Sequence, residues 1–227
     1  MSSVTRPEQA FWARLSGPQQ TWLAGQLQAQ QPPPPEGVRW SCDGVNLGWV
    51  LFERAQDMVA MLPGCTMVRG QLHWQTSMDQ PLQRSQALQN FLRHQADCGK
   101  LTGWRDEFFA WWPDTPAWPP ALSVPPFLCV ERAGFRHLGM MSHAVHMHGF
   151  LPQGDLWCGR RSASKATDPG LLDNIAAGGL TAGESPLTTA LRELAEEASL
   201  YLPDPSRLRS CGAIRTQRLE PQGWHDE

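Results

Sequence analysis

Residues 178–200 read GGLTAGESPLTTALRELAEEASL, and the way this stretch folds decides the class of the C-terminal half. Ser185 is a suitable helix N-cap and Pro186 a suitable first helical residue. From there Leu187, Leu191, Leu194 and Ala198 recur at i, i+4, i+7 and i+11, the spacing of a buried helical stripe. Glu193, Glu196 and Glu197 fall on a different face, within an arc of roughly 100°. Such crowding has a cost. Like charges three and four residues apart repel by roughly a few tenths of a kcal/mol per pair, and carboxylates late in a helix meet the negative end of its dipole. Arg192 is the only cation in the helix and cannot neutralise all three. A hard divalent cation can, because Mg²⁺ prefers oxygen ligands and often bridges to substrate phosphates. For the three glutamates taken alone, a solvated acidic face is the better reading.

The surroundings favour the metal. The stretch resembles the Nudix hydrolase signature, G-x5-E-x7-R-E-U-x-E-E-x-G-U, where U is a bulky aliphatic residue. Gly178 is followed by five residues and Glu184, seven more lead to Arg192-Glu193-Leu194, and Glu196-Glu197 and Leu200 complete the pattern. Ser199 stands where the signature has its last glycine. The resemblance implies a role for each matched position. Glu193, Glu196 and Glu197 would be ligands of Mg²⁺ or Mn²⁺, with the Gly179 carbonyl a further ligand. Arg192 would orient Glu193, Glu184 would tie the loop to the helix, and the Gly178-Gly179 backbone would approach the metal closely. A glutamate of this set, or one elsewhere in the domain, would activate the attacking water. In physical terms the metal neutralises diphosphate charge and stabilises the charge that develops on phosphorus.

Just upstream, LWCGRRSASKATDPGLLDNIAAGG places Arg160, Arg161 and Lys165 before the glycine loop. As a set beside a diphosphate site they read as phosphate contacts, whereas Asp173-Asn174 reads as a turn. His146 and His148 share a strand face, but with His143 they lack a Cys or His partner set at a zinc spacing, so they read as structural or substrate-lining. HMHGF followed by RRSASKATDPGLLDNIAAGG resembles the Nudix branch associated with thiamine pyrophosphokinase. The segments DGVNLGWVLFERAQDM, LTGWRDEFFAWW and PFLCVERAGFRHLGM are similar to that branch's extra N-terminal domain. The branch implies cleavage of thiamine diphosphate analogues, such as oxo- and oxythiamine diphosphate, to the monophosphate and phosphate. His148 departs from it where asparagine is expected.

The remaining chain is read from pattern and composition. Its 227 residues suit one large domain or two small ones. Residues 8–30 read as helix broken at Gly17-Pro18, residues 38–52 as a hairpin turning at Asp43-Gly44, and residues 54–62 as a short helix. QQPPPPEG reads as a rigid spacer. Residues 80–99 form a further helix with a face of Leu82, Leu88, Phe91 and Leu92, and residues 107–112 a strand. The prolines of 113–126 mark a connection. Two single strands are expected within GDLWCGRRS and LRSCGAIRTQRLE. The expected architecture is α/β: a small α+β domain over 1–124, then a Nudix-type α/β/α sandwich with a mixed sheet over 125–227. The family continues beyond the signature helix through several strands and a helix, whereas 27 residues follow Leu200. An incomplete Nudix domain is therefore expected, with a weakly active or inactive protein as one alternative function and hydrolysis of nucleoside diphosphate derivatives as another.

A net charge of −3 argues against nucleic acid as the main partner, and a small-molecule diphosphate needs only a local basic site. No apolar run approaches membrane-spanning length. The six cysteines are scattered without a C-x-x-C pair, which with the lack of an export signal points to reduced thiols and a cytoplasmic protein. The 11 tryptophans, several among prolines, read as packing residues under loops.

Overall fold

The computed structural model describes residues 7–28, 33–76, 78, 80–113, 124–164 and 169–227. In chain order the elements are α1 (Pro7–Arg14), α2 (Gly17–Gln28), β1 (Gly37–Cys42), β2 (Val45–Leu51), α3 (Phe52–Met61), β3 (Cys65–Val68) and β4 (Gln71–Trp74). They continue with α4 (Pro81–Asp97), β5 (Phe108–Trp111), β6 (Leu128–Glu131), α5 (Arg132–Leu138), β7 (Ala144–Met147), β8 (Gly149–Phe150), β9 (Leu156–Trp157) and β10 (Gly159–Arg160). Last come β11 (Leu172–Asp173), β12 (Ala176–Gly179), α6 (Pro186–Ala198), a 3-10 turn at Pro205–Arg207, β13 (Gln217–Glu220) and β14 (Gly223–Asp226). The fold is mixed α/β, as expected. No helix among the described residues is long and apolar enough to cross a membrane.

The chain divides into two compact units. The larger one holds Gln30–His143, Gly179–Ser185 and Ala213–Glu227. Its four-stranded sheet has the order β2-β1-β4-β3, with β1 antiparallel to β2 and parallel to β4. Asp43 and Gly44 both have positive φ (48° and 81°), the two-residue turn that matches strand twist, so the hairpin falls where the sequence puts it. Trp40, Met58, Leu72, Trp74, Leu88, Leu92, Leu128, Leu138 and Met140 are almost wholly buried in one core. The Trp40 indole also donates to the Leu138 carbonyl at 2.8 Å, so its polar atom is satisfied inside the core. Strand β2 and the end of α5 meet backbone to backbone. A Cβ on Gly48 would overlap the Gly139 carbonyl, and one on Gly139 would overlap the Trp49 carbonyl.

Helix α4 packs against β6 through a face that sequence periodicity misreads in part. Leu88, Phe91 and Leu92 are buried, but Leu82 is 77% exposed. Polar side chains take over that end of the contact. Arg84 donates to the carbonyls of Met78 (2.6 Å) and Phe127 (3.3 Å), with its guanidinium 4.2 Å from the Phe127 ring centroid. Ser85 Oγ donates to the Pro81 carbonyl and accepts the Cys129 amide. Two other expectations are corrected. The strand expected in 154–162 is two short strands, β9 and β10, paired with β8 and β11 respectively. The strand expected over 208–220 is confined to β13, because Gly212 takes φ 118° and breaks the extended run. The proline connection falls outside the described residues at 114–123, and the QQPPPPEG spacer does so at 30–32.

His137 is a buried residue of α5. It is 2% exposed, and its Nε2 has no hydrogen-bond partner among the described residues. Burial, helped by the Arg54 guanidinium, pushes its pKa down from 6.5 to about 3. The unfolded chain therefore binds the proton more tightly, so stability is complete above about pH 6.5 and falls as pH drops towards 3. Urea midpoints measured between pH 8 and pH 4 are expected to decline, and His137→Leu is expected to flatten that decline. An equal slope in the variant would remove His137 as its source.

Candidate active site

The smaller unit holds Met1–Ala29, Ala144–Gly178 and Pro186–Gly212. Helix α6 begins at Pro186, as the sequence indicates, and lies on a small core of Met147, Ala176, Ala190 and Leu194, ringed by Val145, Ile175, Leu200, Leu202 and Leu208. Its buried face differs from the expected stripe. Thr189, Ala190, Glu193 and Leu194 are buried, while Leu187 is 48% exposed and Leu191 half-buried. Glu193 therefore faces inward instead of being displayed with Glu196 and Glu197, which are exposed. The glycine at 178 makes room for it. A Cβ there would overlap the Glu193 carboxylate, so the Gly178–Glu193 spacing of the motif records a packed contact between strand and helix.

The three carboxylates are held differently. Arg192 Nη1 bonds Glu193 Oε1 at 2.8 Å and Glu196 Oε2 at 3.3 Å, the second pair spanning one helical turn. Glu197 Oε2 accepts the Ala177 amide at 3.0 Å. Burial raises the Glu193 pKa above its ordinary value. The hydrogen bond and charge of Arg192 oppose the rise, while the charges of Glu197 and Glu196 add to it. The site thus has excess negative charge at its buried member, with one arginine shared by two carboxylates. Among the described residues no three Asp, Glu, His or Cys side chains are gathered tightly enough to hold a metal ion. The donor chemistry nevertheless fits a hard cation: Glu193, Glu196 and Glu197 are carboxylates within two turns of one helix, and the Glu193 carboxylate lies directly against the Gly178 backbone.

The helix ends at the departure from the motif. Ser199 adopts φ 53°, the left-handed conformation that glycine takes without strain, and the Leu200 amide then reaches back to the Leu194 carbonyl at 2.9 Å. The motif glycine is thus a backbone requirement that Ser199 meets at a cost.

The other expected site residues are placed as follows. Arg161 forms a 2.5 Å ion pair with Asp173 across the β10–β11 hairpin, and its amide donates to the Leu171 carbonyl. Arg160 Nη1 donates to the Gly170 carbonyl at 2.7 Å. Lys165 lies outside the described residues. Asp173, read as a turn former, is thus the partner of Arg161, and Asn174 Nδ2 lies 2.8 Å from His146 Nδ1. Residue spacing carries no sign of either pairing. His143, in the larger unit, lies against Trp112 with ring centroids 6.4 Å apart. Gly179 and Glu184 also fold with the larger unit, where the Glu184 amide donates to the Thr181 carbonyl at 3.0 Å.

In comparison with known proteins, residues 144–226 match the family model described as NUDIX domain. The chain is 32% identical over 140 residues to "Nudix hydrolase 20, chloroplastic" and 31% identical over 140 residues to "Nudix hydrolase 24, chloroplastic", both from Arabidopsis thaliana. Each alignment covers 60% of this chain and 36% of the relative. It is also 28% identical over 183 residues to "Uncharacterized protein YJR142W" from Saccharomyces cerevisiae, covering 73% of this chain and 50% of that one. The chain therefore resembles the NUDIX domain over residues 144–226 and has Nudix hydrolases among the proteins it is similar to, and it matches half or less of their length.

Two substitutions test this geometry. Ser199→Gly relieves a left-handed residue worth about 1 kcal/mol and is expected to raise Tm by about 2–4 °C; a lower Tm would contradict the strain at the helix end. Gly178→Ala is expected to destabilise by about 1–3 kcal/mol through overpacking against Glu193. In a Glu193→Ala background the same methyl is expected to be nearly free. Additive losses in that double-mutant cycle, read by urea denaturation, would rule out the contact as the reason for the glycine.

Proposed function

We propose that the protein is a divalent-metal-dependent hydrolase of a diphosphate bond in a small molecule. The single observation that carries this is the α6 carboxylate set: a buried Glu193 seated on Gly178, with Glu196 and Glu197 exposed beside it. Glu193, Glu196 and Glu197 would hold Mg²⁺ or Mn²⁺, with the carbonyl of Gly179, next in the chain to Gly178, as a further donor. The bound metal supplies charge neutralisation at the diphosphate and an acidified water. The chain's own residues do the rest. Arg192 sets the orientation of Glu193, the Ala177 amide fixes Glu197, and a glutamate of the set takes the proton of the attacking water. Glu184 is assigned to the loop, and Arg160, Arg161 and Lys165 to the substrate phosphates.

The finer reading is that the substrate is a thiamine diphosphate analogue, cleaved to the monophosphate and phosphate. It is supported by HMHGF and RRSASKATDPGLLDNIAAGG, which resemble the thiamine-associated branch. A small α+β domain over 1–124, ahead of the hydrolase domain, belongs to the same reading. A cytoplasmic location is proposed from the free thiols, of which burial pushes Cys42 up to about 12 and Cys65 to about 11. One observation favours a second reading, a catalytically weak protein: Arg192 already pairs with two of the three glutamates.

Incubation with Mg²⁺ and oxythiamine diphosphate, ADP-ribose or NADH, with assay of monophosphate release, separates these readings. Turnover of oxythiamine diphosphate is expected, and Glu197→Gln is expected to reduce it by about 10²-fold or more, as for loss of a general acid–base or charge-stabilising group. Preference for ADP-ribose would overturn the thiamine reading alone. No turnover of any of the three, with Glu197→Gln indistinguishable from the parent, would overturn the hydrolase reading.

A further inference from the structure

The loop Gly179–Ser185, which supplies the glycine-rich part of the motif, folds as part of the larger unit. Its neighbour there is β5. Thr181 forms an antiparallel bridge with Phe109, and the Ala182 amide donates to the Phe108 carbonyl at 2.8 Å. Thr181 Oγ1 donates to Glu107 Oε1 at 3.0 Å, and the Leu180 amide donates to the His143 carbonyl at 2.8 Å. Gly179 lies on the Phe109 ring so closely that a Cβ would overlap it.

Glu107 is itself fixed from several directions. Its second carboxylate oxygen takes Arg132 Nη1 at 2.6 Å, and its carbonyl accepts the Arg132 amide at 2.8 Å. Its own amide donates to Glu131 at 3.2 Å. Glu131 is fully buried and also accepts the amides of Arg105 (3.1 Å) and Ala133 (3.4 Å), the latter capping α5. A buried carboxylate satisfied by three backbone donors makes a rigid anchor. The loop contains Gly179 and Gly183 and would have wide conformational freedom without such an attachment.

We propose that Glu107 and Thr181 are positioning residues for the diphosphate reaction, with the start of β5 acting as a clasp that holds the 179–185 loop in one register. This rests on the hydrolase reading. Neither residue belongs to the motif's ligand set. Their contribution is geometric, since a displacement of about 1 Å in a positioning element can cost about 10²-fold in rate.

The test uses the full chain with Thr181→Val, which keeps the shape and removes the hydroxyl, and Thr181→Ser, which restores it. Two readouts are taken: hydrogen exchange of the 179–185 amides, and kcat and KM for oxythiamine diphosphate with Mg²⁺. Thr181→Val is expected to speed exchange at Ala182 about tenfold and lower kcat about tenfold with KM little changed, and Thr181→Ser to recover both. Parental exchange and kcat in Thr181→Val, or no recovery in Thr181→Ser, would overturn the clasp. If the parent turns over no diphosphate, the hydrolase reading falls and the exchange result alone decides whether the clasp holds the loop.

Discussion

The contact between Gly178 and Glu193 is the constraint around which the smaller unit's site is arranged. A strand residue without a side chain lets a helical carboxylate lie directly against the backbone. That approach turns α6 so that Glu193 is buried, Leu187 is left exposed, and Glu196 and Glu197 stay at the surface. Burying a carboxylate is unfavourable without compensation. The compensation present is one arginine divided between Glu193 and Glu196, and the Glu193 pKa remains raised in spite of it. Additional positive charge would relieve this arrangement, and a hard divalent cation is the form proposed for it because such ions prefer oxygen ligands.

The same economy appears at the helix end. The motif's glycine position requires a left-handed residue so that the chain can turn and Leu200 can bond back to Leu194. Ser199 supplies that conformation with a side chain attached. The departure alters stability and leaves the carboxylates where the motif puts them.

Much of this was legible in the sequence, and the parts that were not share a physical cause. The Asp43-Gly44 hairpin and the start of α6 at Pro186 follow from local backbone preferences, so they read correctly, whereas the helix break expected at Gly17-Pro18 falls at Leu15-Ser16, with Gly17 and Pro18 opening α2. The hydrophobic stripe of α6 did not, because periodicity counts apolar side chains and has no means of seeing a carboxylate packed on a glycine. Leu82 failed in the same way, displaced from the contact by the buried Arg84 and Ser85. The Arg161–Asp173 pair and the Thr181–Glu107 bond were invisible for another reason. They join residues 12 and 74 positions apart, and nothing local in the chain announces them. The motif identifies the glutamates, but not that Glu193 is buried while Glu196 and Glu197 are exposed, because that difference comes from how α6 packs.

The central claim is that Glu193, Glu196 and Glu197 together form the binding place of a divalent cation. Titration of the full chain with Mn²⁺, followed by electron paramagnetic resonance of the free ion, tests it without any assumption about substrate. The account predicts a saturable site in the parent that is lost when all three glutamates are replaced by glutamine in one variant whose circular dichroism matches the parent. Equal Mn²⁺ binding by parent and triple variant would contradict it.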